Sequence, residues 1–505
     1  MINKIFSGDI SSNNYLENRL LFKAFNNKCV IKVQNSGIKA ADFFINGKNI
    51  DISCDLKQDS FEIKLDNLLK DGNNSLKILN IQPGSSSLEV SIDYPVLCKA
   101  DPSEVGFDPG KLKIIDELIS AEVDDGFPGA VLLIIKDAKI VKETAYGFKK
   151  KYADDGSLLD EFDSMDTNTI FDIASNSKMY STNFALMKLA SEGKIDVNKR
   201  IKDYIKEYTG DGRDEVLVKN LLTHSAGYAP EVLFYIPDNE TGPQFYSINR
   251  EKTIKLLTTE VPFIYKKGEK TQYSDTDYML LGLIIESVTG MKQDEYVEKE
   301  IYQPLGLTNT MYVPLQKGKL KENIAATEIN GTTRGFRRDY PEIRKTVLQG
   351  EVHDEKAFYS MGQIAGHAGL FSTVNELAVL TQTVLNGGGY GEIKLFDKNI
   401  LDQFIKPSDF DITFGLGWRR AGNAGLIAHF GPYASSSTVG HTGWTGTFTL
   451  MDPEHNLSIV LLTNKKHSEM IGNDPFPLEK FKGDGYLTGQ YGTIVSMIYE
   501  AFLEN

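Results

Sequence analysis

Cysteine is scarce in this chain: Cys29, Cys54 and Cys98 are the three, and all precede residue 100. They form no Cys-x-x-Cys spacing, so zinc held through sulfur is not expected. Beyond residue 100 a cysteine nucleophile is excluded, and covalent chemistry there has to use oxygen or nitrogen. Long apolar runs are missing too. No stretch reaches the eighteen residues that would read as a transmembrane helix. The opening, MINKIFSGDI, lacks the apolar run of a secretory signal. That leaves either a protein that stays inside or a mature or shortened form of an exported one. Positive charge is in deficit, with 55 Lys and Arg against 69 Asp and Glu, a net charge of -14 and a pI near 5.2. No basic block reverses that sum, so nucleic acid is not expected as a partner.

What is present is the composition of a globular protein, 41% hydrophobic and 25% charged, with enough apolar side chain for real cores. At 505 residues the chain is long for one core, and two domains are expected. The first hundred residues read as strands. Apolar positions alternate at Phe61, Ile63 and Leu65 and at Leu88, Val90, Ile92 and Tyr94, with Asn46-Gly47 as a turn signal. Successive short strands predict a β-sandwich over residues 1 to 99. The pattern then changes: DPSEVGFDPGKLKIIDELISAEV moves from turn residues into helical spacing, with Leu112, Ile115, Leu118 and Ile119 on one stripe. From 100 to 505 the elements are mixed. Two buried strands are predicted in PGAVLLIIKDAKIVKETAYGF, helices over about 175 to 192 and 276 to 289, strands over 447 to 451 and 457 to 463, and a last helix over 491 to 502. Terminal helices packed on an antiparallel sheet make an α+β architecture.

Three short segments carry chemistry. In FDIASNSKMYSTNFALMKLA, Ser175 and Lys178 stand three apart at the predicted start of a helix. That spacing puts both on one face, with the hydroxyl near free backbone N–H groups that favour developing negative charge. The plainer reading is a capping serine with a solvated lysine, and the same spacing recurs without that context at Ser36 and Lys39. In KGEKTQYSDTDYMLLGLIIESVTG, Tyr273, Ser274 and Asp275 directly precede an apolar helix. A tyrosine beside a lysine can act as a base, because a cation favours the phenolate. A half-buried aromatic followed by an ordinary cap is the alternative, and Tyr-x-Asp also occurs at Tyr152 and Asp154. In GHTGWTGTFTLMDPEHNLSIVLLTN, His441-Thr442-Gly443 leads into a strand whose backbone can lie along a substrate, the glycine allowing close approach.

Three segments in this order, each before the right kind of element, resemble the penicillin-recognising serine enzymes: DD-peptidases, class C β-lactamases and related esterases. VKNLLTHSAGYAP, GHAGLFSTVNELAVL and FGLGW extend the likeness over roughly residues 100 to 505. GEVHDEKAFYSMGQIAGHAGLFST is similar to the penicillin-binding protein 4B group within it. The resemblance implies a β-lactamase/DD-peptidase-like catalytic domain with no metal and no cofactor. Ser175 would form the acyl-enzyme, and Lys178 and Tyr273 would share proton transfer. Asp275, His441, Thr442 and Gly443 would contact the substrate, and the backbone N–H groups of Ser175 and Trp444 would form the oxyanion hole. Two positions depart from the usual pattern. Asp275 stands where Asn is usual, and an ionised carboxylate cannot donate a hydrogen bond to a substrate carbonyl. His441 replaces Lys, exchanging a permanent cation for a group expected to titrate near 6.5.

The other histidines are His224, His353, His367, His429, His455 and His467. Of these, His353 and His367, with Asp354 and Glu355, could gather around a metal, but their spacing matches no zinc signature and a packing role is expected. The stretch from 231 to 262 is expected to cover the site. IKLDNLLKDGNNSLKIL resembles sandwich modules of carbohydrate-active enzymes, and a spacer or docking role is expected for the first domain rather than glycan binding. The expected activity is that of a D-alanyl-D-alanine carboxypeptidase, with peptidoglycan peptides or β-lactams as partners. A carboxylesterase or β-lactamase with the same residues, acting on small acyl substrates, is one alternative. A non-catalytic wall-peptide or β-lactam binding protein is another. By the resemblance, the protein works outside the cytoplasmic membrane.

Overall fold

The structure is a computed structural model that describes residues 4–11, 19–25, 30–52, 55–65, 68–70, 72–82, 85–471 and 480–503. Cys29 and Cys54 lie outside the described residues. The chain divides into two compact units, the first made of Met1–Lys99, Asp137–Lys139 and Gln382–Asp397 and the second of Ala100–Lys136, Ile140–Thr381 and Lys398–Asn505.

In the first unit the longer strands are β1 (Lys4–Ser11), β2 (Arg19–Ala24), β3 (Val30–Ser36), β4 (Ala40–Ile45), β5 (Lys48–Ile50), β6 (Ser60–Lys64), β7 (Gly72–Gln82) and β8 (Ser85–Ile92). They form two four-stranded sheets, ordered β1-β8-β3-β6 and β2-β7-β4-β5. Alternate residues such as Ile31 and Val33, Phe43 and Ile45, Phe61 and Ile63, and Leu76 and Ile78 enter one shared core, as the period-two pattern requires. Asn46 and Gly47 both have positive φ, 50° and 83°, the geometry that lets a two-residue turn follow the twist of β4 into β5.

The second unit contributes ten strands to its two larger sheets. These are β9 (Gly129–Lys136), β10 (Lys139–Tyr152), β11 (Leu158–Ser164), β12 (Phe171–Asp172), β13 (Met311–Tyr312), β14 (Leu370–Ser372), β15 (Arg419–Arg420), β16 (Val439–Gly443), β17 (Thr447–Asp452) and β18 (Leu457–Thr463). Seven form one sheet in the order β11-β10-β9-β18-β17-β16-β15, and β12-β14-β13 form a small second sheet. The principal helices are α1 (Pro109–Asp124), α2 (Phe184–Ser191), α3 (Asp275–Thr289) and α4 (Gly492–Leu503). Asp108 caps α1 by accepting from Gly110 and Lys111 N–H. The α1 stripe of Leu112, Ile115 and Ile119 packs with Ile494, Val495 and Ile498 of α4 on Leu132, Ile134, Phe448, Leu450, Ile459 and Leu461 of the sheet. Each such side chain contributes on the order of 2 kcal/mol by burial. Residues 129 to 135 and all of β18 are buried on both faces, which is why both strands read as continuous apolar runs rather than alternating ones.

The segment from 175 to 192 departs from the single helix expected. A tight turn at Ala174–Asn176 is followed by wide, i to i+5 turns over Lys178–Asn183, and regular α-helix begins only at Phe184. The side chains of the wide turns are fully buried and bond to other segments. Thr182 Oγ1 donates to Gly366 O at 2.7 Å and Asn183 Nδ2 to Leu416 O at 3.0 Å, while Ser181 Oγ accepts from Gln293 Nε2 at 2.8 Å. These tertiary bonds hold the turns open, and local helix propensity does not reveal them.

Candidate active site

Ser175 follows β12 through a sharply set turn. Asp172 accepts from Ala174 N–H at 2.8 Å with one oxygen and from His353 N–H at 2.7 Å with the other. Ala174 is held at φ 46°, a left-handed conformation costing about 1 kcal/mol. On the far side the turn is fastened to β17 and to the turn that precedes it. Thr445 Oγ1 donates to Asp172 O at 2.7 Å and Thr447 Oγ1 to Ile173 O at 3.0 Å, and Asn176 Nδ2 donates to Thr447 Oγ1 at 3.0 Å. The half-buried Ser175 is thereby held beside the strand that carries His441, Thr442 and Gly443.

Lys178 is wholly buried, and its Nζ donates to Ser175 Oγ at 2.9 Å and to His367 O at 3.0 Å. It also lies 2.9 Å from Asp275 Oδ1 and 4.9 Å from the centre of the Tyr273 ring. The first two sequence segments therefore meet at one ammonium. Burial works against that charge, but Asp275 and Tyr273 outweigh it, so Lys178 is held above its ordinary value and stays charged. Asp275 opens α3 without acting as its cap, since Ser274 takes that position. Its Oδ2 lies 3.2 Å from Lys356 Nζ. Burial opposes its charge too, and Lys178, Lys356 and His367 together hold it well below the usual carboxylate range.

Tyr273 is enclosed by rings and cations. The His224 ring lies 4.6 Å away, the His441 ring 6.0 Å away, and the Arg419 guanidinium sits 4.7 Å from the ring centre. Behind it, the fully buried His224 Nδ1 meets Asp277 Oδ2 at 3.0 Å. Burial, followed by repulsion from Asp275, pushes Asp277 well above the usual carboxylate range. Burial, followed by Lys178 and Arg419, pushes His224 well below 6.5. The dyad is therefore neutral and adds no charge behind the tyrosine.

His441 corrects one expectation. It is buried, its Nδ1 lies 2.8 Å from Thr442 O, and burial, then Arg419, then Lys178 hold its pKa well below 6.5. It does not titrate near its ordinary value, because burial penalises its charge and a third positive charge beside Arg419 and Lys178 is unfavourable. The permanent cation on this side is Arg419, which pairs across β15 and β16 with Gly440 and belongs to none of the three motif segments. Gly443 has a steric reason: a Cβ there would collide with Ile173 O and Thr447 Oγ1. Trp444 follows it, 41% exposed, with Lys466 Nζ 4.1 Å from its ring.

A cavity of about 300 Å³ is lined by Ser175, Tyr273, Asp275 and Trp444 together with Glu231, Tyr235, Arg334 and Arg338. Glu231 and Tyr235 come from the stretch between 231 and 262. The larger cavity of about 560 Å³ beside Leu283 and Glu286 contains none of the motif residues. His353 and His367 fall near the site, each against a carboxylate. His353 Nε2 lies 3.0 Å from Glu328 Oε2 and His367 Nε2 lies 2.8 Å from Asp354 Oδ1. Asp275, Asp354 and His367 bring one ligand atom each within 4.8 Å of one another. Lys356 Nζ nevertheless lies 3.2 Å from both carboxylates, so a metal ion there would meet an ammonium, and the cluster does not fit one. Ser36 lies on β3 and Tyr152 on β10, and neither is brought to this cavity.

The Beta-lactamase family model matches residues 115–480. The chain belongs to this family. Family relatives include a Bacillus subtilis (strain 168) protein named N-acetylmuramyl-L-alanine amidase, 47% identical over 413 residues, covering 81% of this chain and 92% of the relative. A Salmonella typhi protein, provisionally named a D-alanyl-D-alanine carboxypeptidase, is 46% identical over 415 residues, covering 81% and 95%. Among solved structures, a penicillin-binding protein homologue from Caulobacter crescentus superposes with a TM-score of 0.55 at 18% identity, covering 78% of this chain and 99% of that one. That last likeness is one of fold. The α+β, β-lactamase-like architecture expected from the sequence is the one this family has.

Proposed function

We propose that the protein is a serine hydrolase that cuts an amide bond in peptidoglycan peptides by acylating Ser175. The observation that carries this reading is the buried ammonium of Lys178, 2.9 Å from both Ser175 Oγ and Asp275 Oδ1, with Tyr273 beside it. A charged Lys178 orients the serine but cannot take its proton. Tyr273, in its phenolate form, would accept that proton, and the positive charges of Lys178, 4.9 Å from its ring centre, and Arg419, 4.7 Å from it, favour that form. Ser175 Oγ then bonds to the substrate carbonyl carbon, whose oxygen turns to the backbone N–H groups of Ser175 and Trp444. Such donors are typically worth about 3 kcal/mol each in the transition state. Tyr273 returns the proton to the leaving amine, and water, deprotonated at the same oxygen, frees the acyl group and Ser175.

The names of the two relatives designate different bonds. Cleavage of D-alanyl-D-alanine releases an amine that carries a carboxylate, and Arg419 is the permanent cation near His441 that suits it. Cleavage between N-acetylmuramyl and L-alanine in a longer peptide needs no such charge, and the neutral His441 favours this second reading. Both readings put the protein where wall peptides are processed, which is outside the membrane for intact wall. No helix among the described residues is long and apolar enough to cross a membrane. The deciding experiment supplies a pentapeptide ending in D-alanyl-D-alanine and, separately, an N-acetylmuramyl peptide. Free D-alanine from the first supports the carboxypeptidase. Free muramic acid derivative from the second supports the amidase, and turnover of short nitrophenyl esters with neither product overturns both.

A further inference from the structure

We propose that Lys356 is a positioning residue of the acylation site. Its ammonium closes a ring of ion pairs and hydrogen bonds through Lys178, Asp275, Asp354 and His367 and offsets the negative charge that Asp275 brings where an amide would bring none. The inference rests on the serine-hydrolase reading above. The ring can be followed atom by atom. Lys178 Nζ meets Asp275 Oδ1 at 2.9 Å, and Asp275 Oδ2 meets Lys356 Nζ at 3.2 Å. Lys356 then meets Asp354 Oδ2 at 3.2 Å, Asp354 Oδ1 meets His367 Nε2 at 2.8 Å, and His367 O receives Lys178 at 3.0 Å. A branch runs from Lys356 to Glu231 Oε2 at 2.9 Å, at the cavity wall.

An unpaired carboxylate this close to Lys178 would tie up its ammonium and disfavour loss of a proton from the Lys178 and Tyr273 pair, the step that arms Ser175. With both oxygens of Asp275 engaged by separate lysines, that attraction is shared. Burial works against the Lys356 charge, but Asp354, Glu231 and Asp275 outweigh it and hold the lysine charged. Among the described residues, the other titratable groups facing the Lys178 and Tyr273 pair are Arg419, the neutral His441, the neutral His224 and Asp277 dyad, and Tyr278, whose ring centre lies 5.8 Å from Lys178 Nζ, and none of them pairs with Asp275 Oδ2. An ammonium that only filled space would leave the proton affinity of that pair unmoved by its removal.

The test is the rate at which a fluorophosphonate labels Ser175, measured against pH in the full chain for the wild type, Lys356→Met, Lys356→Arg, Asp275→Asn, the Lys356→Met/Asp275→Asn double variant and Ser175→Ala. The activating proton comes off the Lys178 and Tyr273 pair. Removing the Lys356 charge therefore moves the rising limb to higher pH by about one unit, and removing the Asp275 charge moves it to lower pH. The double variant returns close to the wild type, and Lys356→Arg keeps the wild-type limb. A uniform loss at every pH in Lys356→Met, or a double variant no closer to the wild type than Lys356→Met, overturns the proposal. If Lys356→Met does not fold, Lys356→Gln decides in its place, since an unmoved limb there is equally fatal. Labelling that persists in Ser175→Ala, or is absent from the wild type, defeats the serine-hydrolase reading instead, so the two failures are distinguishable.

Discussion

Lys178 and Asp275 form a buried ion pair, Nζ to Oδ1 2.9 Å, and the same Nζ donates to Ser175 Oγ at 2.9 Å. One ammonium thus joins residues that are about a hundred positions apart in the chain. Because Lys178 and Tyr273 serve a single proton path, Lys178→Ala and Tyr273→Phe are each expected to lower kcat by about a hundredfold or more. The double variant is expected to be little worse than the poorer single variant. Steady-state kinetics on any accepted substrate checks this, and losses that multiply would refute the shared path.

Gly443 ties the geometry of the strand to that of the nucleophile. Any Cβ at this position presses on Ile173 O and Thr447 Oγ1, two residues before Ser175. Gly443→Ala should therefore displace the serine and cost about a hundredfold in kcat, with the circular dichroism spectrum unchanged. Wild-type kcat in a folded Gly443→Ala protein would show that strand and nucleophile are not so coupled.

The neutral, buried His441 predicts a plain pH profile. Since its pKa is held well below 6.5, no charge appears or disappears on it between pH 6 and 8. The profiles of kcat/KM for an anionic and an uncharged substrate are expected to run parallel through that range. A divergence near pH 6.5 that vanishes in His441→Gln would mean that the histidine titrates and reads substrate charge.

His467 carries a stability prediction of definite sign. It is fully buried, Nε2 accepts from Lys151 N–H at 2.9 Å and Nδ1 lies 3.0 Å from Thr327 O, and burial pushes its pKa down to about 3. In the unfolded chain it takes up a proton below about pH 6.5, whereas the folded protein does not until about pH 3. The neutral form's contribution is therefore complete above pH 6.5 and is lost at roughly 1.4 kcal/mol per pH unit as pH falls through that window. Unfolding in urea at pH 7.5, 6 and 5 should show this slope shallower by about one proton in His467→Gln. An unchanged slope would place the proton uptake elsewhere.

The motif residues were legible because each signal is local: a three-residue spacing, a tyrosine before an apolar helix, a His-Thr-Gly triplet, although the triplet ends β16 rather than leading into a strand. The same holds for β17, β18 and α3, whose periodicity survives in the sequence because one continuous stretch builds each. Lys356 and Arg419 were not legible. Lys356 reaches Asp275 from the wide turn Lys356–Ser360, and Arg419 lies beside Tyr273 on β15, which pairs with β16; contacts between distant segments leave no spacing to read. The histidines and carboxylates near 353 to 367 were noticed as a group, but the ammonium among them was not, and it is what makes the group an ion-pair ring. The wide turns over Lys178–Asn183 were missed for a similar reason, since their cause lies in bonds to residues 293, 366 and 416.

The central claim is that Ser175 is the residue acylated. The most direct measurement is mass spectrometry of the protein digested after reaction with a β-lactam or a fluorophosphonate, on the wild type and on Ser175→Ala. The account predicts one adduct, on the peptide that contains Ser175, and none in the variant, which should fold normally and show no hydrolysis. An adduct on another serine, or hydrolysis that survives in Ser175→Ala, would contradict it.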